Sequence, residues 1–166
     1  MYLSSYAFRS GDPTHFDPVS DEIVGQLLSV LESNGVPTDA RFEIIMYFYS
    51  EWQLLSEAQR IEIRPYLRTV LLASNEDQFK LCYTIVELLG KCYADRAAFD
   101  IFSELANSTS EERRALACIG IAFIAENTTE LDITRDASSY IESAALDPSE
   151  DVRDEALDAL DRLTTL

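Results

Sequence analysis

The 166-residue sequence predicts an all-α protein, built as a short right-handed α-solenoid of about four helical hairpins. Apolar residues recur at helical spacing in successive segments, and similar helix starts return at intervals of 33 to 41 residues. No segment alternates apolar and polar residues convincingly as a strand does, and the chain has only five glycines. A chain of this length seldom forms two separate cores, so we expect one domain.

The stretch LDPSEDVRDEALDALDRL, residues 146 to 163, has the clearest helical pattern. Asp147 is expected to cap a helix, with Pro148 in its first turn and Glu150 facing the helix dipole. The apolar side of this helix contains Val152, Ala156, Leu157, Leu160 and Leu163, and its acidic side contains Asp151, Asp154, Glu155, Asp158 and Asp161. Carboxylates on a solvated face lack the desolvation that paired acid–base catalysis requires, so we interpret the acidic run as a helix surface.

The start of this helix resembles segments in the upstream part of the chain. Asp39-Ala40-Arg41 corresponds to Asp151-Val152-Arg153, and weaker matches lie near Asp77 and Leu116. The equivalent positions are Ile44, Cys82, Ala115 and Ala156, at spacings of 38, 33 and 41 residues. A period of this size, carried by paired helices, is typical of an α-solenoid.

The C-terminal unit resembles a HEAT repeat. Asp147-Pro148 corresponds to the turn between the two helices of such a repeat, and Asp151-Val152-Arg153, Ala156-Leu157 and Leu160 correspond to its second helix. The resemblance is good over residues 140–166 and partial in the three earlier units, where Phe79 and Arg113 depart from the pattern. It implies a scaffold used for binding, with no fixed chemistry attached to the fold.

The predicted order of elements is an N-terminal arm over residues 1–17, which caps the first hairpin, and a single HEAT-like domain over residues 18–166. Ser56 with Gln59 has the pattern of a capping box, as does Ser108 with Glu111, and Pro65 is expected to bend or break its helix. The four hairpins are expected at 19–33 with 39–55, from Ser56 through a second helix opened by Ser74-Asn75, at 95–106 with 110–126, and from 127 to the end.

Charge limits the classes of partner. Thirty acidic and thirteen basic residues give a formal net charge of −17, which repels phosphate backbones and anionic lipids. We therefore expect neither a nucleic acid nor a membrane as partner. A charge of this size favours solubility, and it also favours fast capture of a basic protein, and both interpretations stay open.

The start of the chain and its cysteines indicate a cytoplasmic protein. Residues 1–13 lack the basic start and the apolar stretch of a signal peptide, and no segment reaches the roughly 20 apolar residues of a membrane span. Cys82, Cys92 and Cys118 are odd in number and lie in apolar helical patterns, where a reduced thiol behaves as a small hydrophobe.

The residue inventory argues against catalysis. His15 is the only histidine, and it lies in the expected arm, so most metal sites and histidine-activated nucleophiles are excluded. The sequence contains no glycine-rich phosphate loop, no CxxC pair and no HExxH motif. We expect no enzyme activity, no cofactor and no metal.

The segment EIIMYFYSEW, residues 43 to 52, contains the first candidate binding residues. At helical spacing one stripe contains Phe42, Ile45, Met46, Tyr49 and Trp52, which is expected to pack inward. Tyr47, with Glu43 and Glu51 beside it, then forms an accessible face that could anchor a basic partner. Asp154 and Asp158 form a second candidate surface on the last helix. The alternatives are a crowded core helix for the first segment and solubility for the second.

Size, charge and the HEAT-like pattern together resemble small acidic immunity proteins of bacterial toxin systems, including contact-dependent growth inhibition. That resemblance implies binding of a basic toxin, a nuclease domain, with its active site covered by an acidic surface. A second hypothesis is a protein-interaction adaptor whose partner need not be basic. A third is an enzyme or ligand-binding module, including the HEAT-like lyases and DNA glycosylases, although the charge has the wrong sign for DNA. We expect a monomer, with stacking of hairpin ends into a dimer left open.

Overall fold

The computed structural model describes residues 17–33, 35–74 and 76–164, where helices form the regular structure and no strand occurs. The α-helices are α1 (Asp21–Glu32), α2 (Thr38–Ser50), α3 (Glu57–Ala73), α4 (Phe79–Glu87), α5 (Arg96–Ala106), α6 (Glu111–Asn127), α7 (Leu131–Ala144) and α8 (Glu150–Thr164). Short 3-10 turns occupy Trp52–Leu54 and Glu76–Gln78, and a π-helical segment, Leu88–Tyr93, extends α4. The all-α prediction is confirmed. The expected arm lies outside the described residues apart from Asp17, and so does His15.

The predicted capping box at the start of α3 is confirmed. The Ser56 hydroxyl accepts a hydrogen bond from the Gln59 amide at 3.2 Å, and the Gln59 side chain accepts one from the Ser56 amide at 2.8 Å. The amide nitrogen of the same Gln59 side chain donates to the Val19 carbonyl at 2.9 Å and to Asp21 at 2.7 Å. Gln59 is buried, and these bonds connect the start of α3 to the start of α1.

Two of the predicted helix starts are wrong, and so is the predicted capping box of Ser108 with Glu111. Ser74 ends α3, where its amide donates to the Val70 carbonyl, and α4 begins only at Phe79. At α6 the capping residue is Ser110, which accepts from the Arg113 amide, whereas the Ser108 hydroxyl accepts from the Ser110 amide. Serine suits turns as well as caps, so its position alone did not separate the two uses.

The second wrong helix start is that of α8, which begins at Glu150 and not at Pro148. The Asp147 carboxylate is held by Arg114 of α6, with Nε and one terminal nitrogen each 2.9 Å from an oxygen, and it also accepts from the Ser149 amide at 2.8 Å. This tertiary ion pair uses the side chain that was expected to cap the helix. The first helical hydrogen bond instead joins the Arg153 amide to the Ser149 carbonyl.

Pro65 does not break its helix, because α3 is continuous from Glu57 to Ala73. A proline removes the hydrogen bond to the carbonyl four residues earlier, which here belongs to Ile61. Both Pro65 and Ile61 are exposed, so water can reach the side of the helix on which that bond is missing. The position of the proline on the helix therefore explains why the helix tolerates it.

The helices contact one another in a regular order. Consecutive helices pack in the pairs α1 with α2, α3 with α4, α5 with α6 and α7 with α8, and α6 also packs against α7. The even-numbered helices also form a row, in which α2 contacts α4, α4 contacts α6 and α6 contacts α8. Among the odd-numbered helices, α1 contacts α3 and α5 contacts α7. We call the first of these rows the even row.

Helix α6 lies at the centre of this arrangement, and every residue from Leu116 to Ile124 is buried. It contacts α4, α5, α7, α8 and the π-helical segment, so no side of its middle faces solvent. A helix buried on all sides lacks an amphipathic pattern. The buried side chains of the described helices form one continuous apolar cluster that includes Phe48, Ile63, Phe102 and Ile141.

Arginine side chains connect helices that are separated by one intervening helix in the sequence, such as α3 and α5. Three of these connections span 36 residues each, from Arg68 to Glu104, from Arg96 to Asp132 and from Arg162 to Glu126. The donor–acceptor distances are 2.8 Å, 3.0 Å and 2.8 Å respectively. Each of these three contacts therefore joins residues at the same separation in the sequence, with the arginine first in two of them and the acid first in the third.

Two glycines allow α6 to approach its neighbours closely. A Cβ atom added at Gly120 would lie 2.4 Å from Cζ of Phe102, and one added at Gly90 would lie 2.6 Å from Cβ of Phe123. Both distances are far shorter than carbon atoms in contact allow. The α5, α6 and π-helical backbones therefore need glycine at these two positions.

Replacing Gly120 by alanine is expected to lower the free energy of unfolding by about 1–3 kcal/mol, because the ring of Phe102 has to move. Gly25→Ala is the matched control, since Gly25 lies in α1 with no atom within 4 Å of an added Cβ. That change is expected to stabilise by about 0.5–1 kcal/mol through the helix propensity of alanine. Urea unfolding of both variants measures the difference, and equal effects would contradict the packing described here.

The ion pair of Asp147 with Arg114 is expected to make stability depend on pH. Hydrogen bonds from Arg114 hold the pKa of Asp147 below its ordinary value. The stabilisation is therefore present above the ordinary pKa of about 4 and is lost as pH falls through the lower folded-state pKa. Asp147→Asn is expected to cost about 1–3 kcal/mol at pH 7 and much less at pH 2.

The control for this prediction is Asp154→Asn, since Asp154 is exposed and makes no ion pair with the described residues. Its effect should stay within about 0.5 kcal/mol at pH 7. Urea unfolding at the two pH values provides the comparison. A cost for Asp147→Asn that is the same at pH 7 and pH 2 would show that charge is not its cause.

Candidate partner-binding surfaces

The first candidate surface lies on α2 and its C-terminal cap. Glu43, Tyr47 and Glu51 are four residues apart, so they follow one another along one side of the helix. Glu43 is exposed, and Tyr47 and Glu51 are half-buried. Burial, and then the charge of Glu51, raises the pKa of the Tyr47 hydroxyl, which therefore remains a protonated donor at neutral pH. A rigid ring between two carboxylates is a suitable contact for a cationic side chain.

The predicted inward stripe of α2 is only partly correct. Ile45 and Trp52 are buried as expected, but Ile44 and Phe48 are buried as well. Phe42, Met46 and Tyr49, which were expected to pack inward, are half-buried. The reason is that α2 contacts α1 and α4, so the covered surface is wider than a single stripe.

The second candidate surface lies on α8, where Asp154 and Asp158 are both exposed. Asp158 pairs with Arg162 one turn later, and Arg162 also donates to Glu126 of α6 at 2.8 Å. The negative charge of Asp158 is therefore partly balanced within the protein, whereas Asp154 makes no ion pair with the residues that the structure describes. Of the two, Asp154 is the more available to a partner.

Glu155 contradicts the expectation that nothing desolvates the acids of α8. Its side chain is half-buried, and burial raises its pKa, followed by the charges of Asp158, Asp151 and Asp154, while Arg162 acts in the opposite direction. The apolar side of α8 also differs from the expectation. Val152, Ala156 and Ala159 are buried, but Leu157 is 55% exposed.

The two candidate surfaces lie at opposite ends of the even row. Helices α4 and α6 lie between α2 and α8, so the structure does not bring the two sets of acids together. Three steps of about 8–10 Å between neighbouring helix axes separate them by roughly 25–30 Å. A standard protein interface of about 800 Å² per partner is wide enough to reach both.

A cluster that the sequence did not predict occupies the middle of the even row. Lys91 of the π-helical segment lies 2.6 Å from a carboxylate oxygen of Glu87 and 4.3 Å from the ring centre of Phe123. Tyr49 of α2 and Tyr83 of α4 are near enough to influence the pKa of Lys91. We call these five residues the Lys91 cluster. The spacing of Glu87 and Lys91 is visible in the sequence, but the approach of α2 and α6 is not.

The pKa values of Lys91 and of two cysteines are raised from their ordinary values. Burial acts to lower the pKa of Lys91, but the hydrogen bond and charge of Glu87 outweigh it, so the pKa is raised. A lysine nucleophile needs a lowered pKa. Burial also raises the pKa of the thiols of Cys92, to about 11, and Cys118, to about 12, so both are protonated at neutral pH.

A second aromatic cluster has a structural role. The guanidinium of Arg60 lies 4.5 Å from the ring centre of Trp52, and that of Arg64 lies 4.5 Å from the ring centre of Tyr93. Trp52 and Tyr93 meet edge to face at 4.6 Å, and the Tyr93 hydroxyl donates to the Arg60 carbonyl at 2.6 Å. Stacked guanidinium groups explain why Nε of both arginines is buried without an acceptor.

Basic side chains are mostly used within the fold. Besides the interhelical pairs, Arg60 donates to the Trp52 carbonyl, Arg113 to the Ser74 carbonyl and Arg153 to two carbonyls of the turn before α8. These arginines therefore stabilise the turns between helices. The excess of acidic residues remains at the surface, which makes the described faces of α2 and α8 acidic.

Comparison with known proteins adds no relative. No protein-family model matches the sequence, and no curated protein matches it. The function is therefore inferred from the geometry and charge of the surfaces described above.

Glu155→Gln is expected to raise the free energy of unfolding at pH 7. Asp151 and Asp158 are one turn away on the same helix, and each such like-charge pair costs about 0.2–0.5 kcal/mol. Because the folded-state pKa of Glu155 is raised, its unfavourable effect is absent at low pH and develops as pH rises through that pKa. The gain should therefore be about 0.4–1 kcal/mol at pH 7 and vanish near pH 3.

Thermal unfolding at the two pH values checks this prediction, with the exposed Asp154→Asn as the control. A loss of stability in Glu155→Gln at pH 7 would mean that the pairing of Glu155 with Arg162 outweighs the repulsion.

Proposed function

We propose that this chain is a non-catalytic binding protein whose partner is a basic protein, and that it acts in the cytoplasm as an immunity protein. In this role its acidic surface covers the active site of a nuclease toxin, as in contact-dependent growth inhibition. The observation that carries the proposal is the distribution of charge: basic side chains are used within the fold, and the surplus acids face solvent on α2 and α8.

The proposed scaffold is a right-handed solenoid of four HEAT-like hairpins. Two features support it, namely the packing of consecutive helices in pairs and the row of contacts between even-numbered helices. The arginine connections across 36 residues agree with a repeat of about that length. A solenoid presents one row of helices as an extended surface, and such surfaces commonly bind other proteins.

The even row offers the parts of a protein interface in their usual arrangement. The Lys91 cluster provides aromatic side chains in the middle of the row, where Tyr49 and Tyr83 are half-buried, and Phe79 nearby is 56% exposed. Acids lie towards both ends. Interfaces commonly have an aromatic centre and a charged rim, in which the rim attracts the partner and the centre supplies most of the affinity.

A nuclease suits such a surface because its own substrate is a polyanion. The groove that binds phosphates is basic, and an acidic protein can occupy it by charge complementarity. At physiological salt the Debye length is about 8 Å, so the attraction that precedes contact should weaken as salt is added.

A second candidate is an adaptor whose partner need not be basic. Leu131 and Leu146, at the two ends of α7, are 85% and 84% exposed, and neither belongs to the acidic surfaces. Exposed leucines of this kind can contribute to an apolar contact.

A pull-down from native cells with the tagged chain, at low and high salt, tests the proposal. We expect one basic, nuclease-like protein that is retained at low salt and released at high salt. Inhibition of its nuclease activity by the purified chain is the second readout. Several unrelated proteins, or an acidic protein retained at high salt, would favour the adaptor and contradict the immunity function.

Variants then locate the contact on the captured partner. Glu43→Lys, Glu51→Lys, Asp154→Lys and Asp158→Lys are each expected to slow association several-fold at low salt, because they reverse charges that steer the partner. Tyr47→Ala is expected to weaken affinity by about tenfold or more through faster dissociation.

The control is Asp100→Lys, which makes the same change of charge. Asp100 is exposed on the odd-numbered helix α5. Surface plasmon resonance gives both rate constants. If the variants on α2 and α8 change the rate constants no more than Asp100→Lys does, these surfaces do not contact the partner. The effect is then one of net charge alone.

A further inference from the structure

A groove between α1 and α3 lies apart from the even row. Its floor is apolar, formed by the buried side chains of Leu31 and Val70 together with Pro65. Glu32 and Glu62 stand exposed at its rim, with Tyr66 and Thr69 completing the lining. The volume of the groove is about 480 Å³.

The two carboxylates of the groove lack a basic partner. Neither Glu32 nor Glu62 takes part in an ion pair with the residues that the structure describes. Burial raises the pKa of the Tyr66 hydroxyl, and so do the charge and hydrogen bond of Glu32 and the charge of Glu62. The groove therefore combines a negative rim, a hydroxyl group and an apolar floor.

This combination fits a side chain that is apolar along its stem and positive at its tip. Lysine and arginine have that form, because their methylene groups pack on apolar surface while the charged group stays at the water boundary. The aromatic face of Tyr66 adds an attraction for a cation. A small anion or a nucleic acid phosphate has no complementary group among the lining residues.

We propose that the groove between α1 and α3 receives a lysine or arginine side chain of a basic protein partner. The stem lies on Leu31, Pro65 and Val70, and the charged group lies between Glu32 and Glu62. This site rests on the proposed function for the identity of its partner, and it adds a contact on the odd-numbered helices. From Glu62 to Val70 the groove follows α3 for about 12 Å, which is long enough for one extended side chain and its backbone.

The probe is the peptide acetyl-Arg-Ala-Arg-amide, compared with the same peptide containing citrulline in place of arginine. Citrulline keeps the shape of arginine and removes its charge. Nuclear magnetic resonance titration of the full chain at 150 mM salt follows the amide signals of Leu31, Tyr66 and Val70. We expect these signals to shift saturably with the arginine peptide and to shift at least fivefold less with the citrulline peptide.

Neutral variants identify the carboxylates. Glu32→Gln with Glu62→Gln is expected to weaken binding of the arginine peptide at least fivefold, whereas Asp100→Asn with Glu111→Gln, which also removes two exposed charges, should change it less than twofold. Thr69→Arg places an internal cation in the groove and should abolish the shifts, while Thr69→Ala should preserve them. All five substituted positions are exposed, and thermal unfolding verifies that each variant is folded.

The peptide titration and the pull-down test the groove and the proposed function separately. If both double variants weaken the peptide equally, or if the shifts spread over the acidic surface without saturating, the groove is not a site, even when a basic partner is captured. If the groove variants lose the peptide but the pull-down yields no basic protein, the groove binds cationic side chains and the immunity function fails.

Discussion

The burial of α6 is the constraint on which the rest of the structure depends. Four other helices and the π-helical segment pack around its middle, so its side chains and theirs have to interlock without solvent on any side. Gly120 and Gly90 make this possible, because a larger residue at either position would overlap an aromatic ring or its Cβ atom. The same close approach brings Phe123 to Lys91 and so forms the centre of the even row.

The sequence predicts what depends on local pattern and misses what depends on distant contacts. The helical class and the capping box of Ser56 follow from spacing and side-chain chemistry within one turn. Asp147 has the residue type of a cap but is drawn to Arg114, 33 residues away. Pro65 has the residue type of a helix breaker but lies on a solvated side. The candidate residues on α2 and α8 can be found from helical periodicity in the sequence. The Lys91 cluster and the α1–α3 groove cannot, because they form only when separate helices pack together.

The use of basic residues links stability to the proposed binding. Arginines such as Arg68, Arg96 and Arg114 hold one helix pair against the next, so they are not available to balance acids elsewhere. The net negative surface follows from the excess of thirty acidic over thirteen basic residues in the sequence. Charged side chains therefore divide into two groups, one that orders the helices and one that faces solvent. Glu155 belongs partly to both, since it is half-buried and surrounded by other acids.

The π-helical segment has a geometric consequence for the middle of the even row. A π-helical turn contains one residue more than an α-helical turn, so the chain beyond it is rotated by about 100° relative to a regular helix. Lys91 consequently points to Phe123, whereas Tyr93, two residues later, reaches Trp52 near the end of α2. Ala94 then closes the segment with a positive φ of 45°. The orientation of these side chains is thus fixed by the number of residues between Leu88 and Ala94, so it is the count of residues, as well as their identity, that aligns this part of the surface.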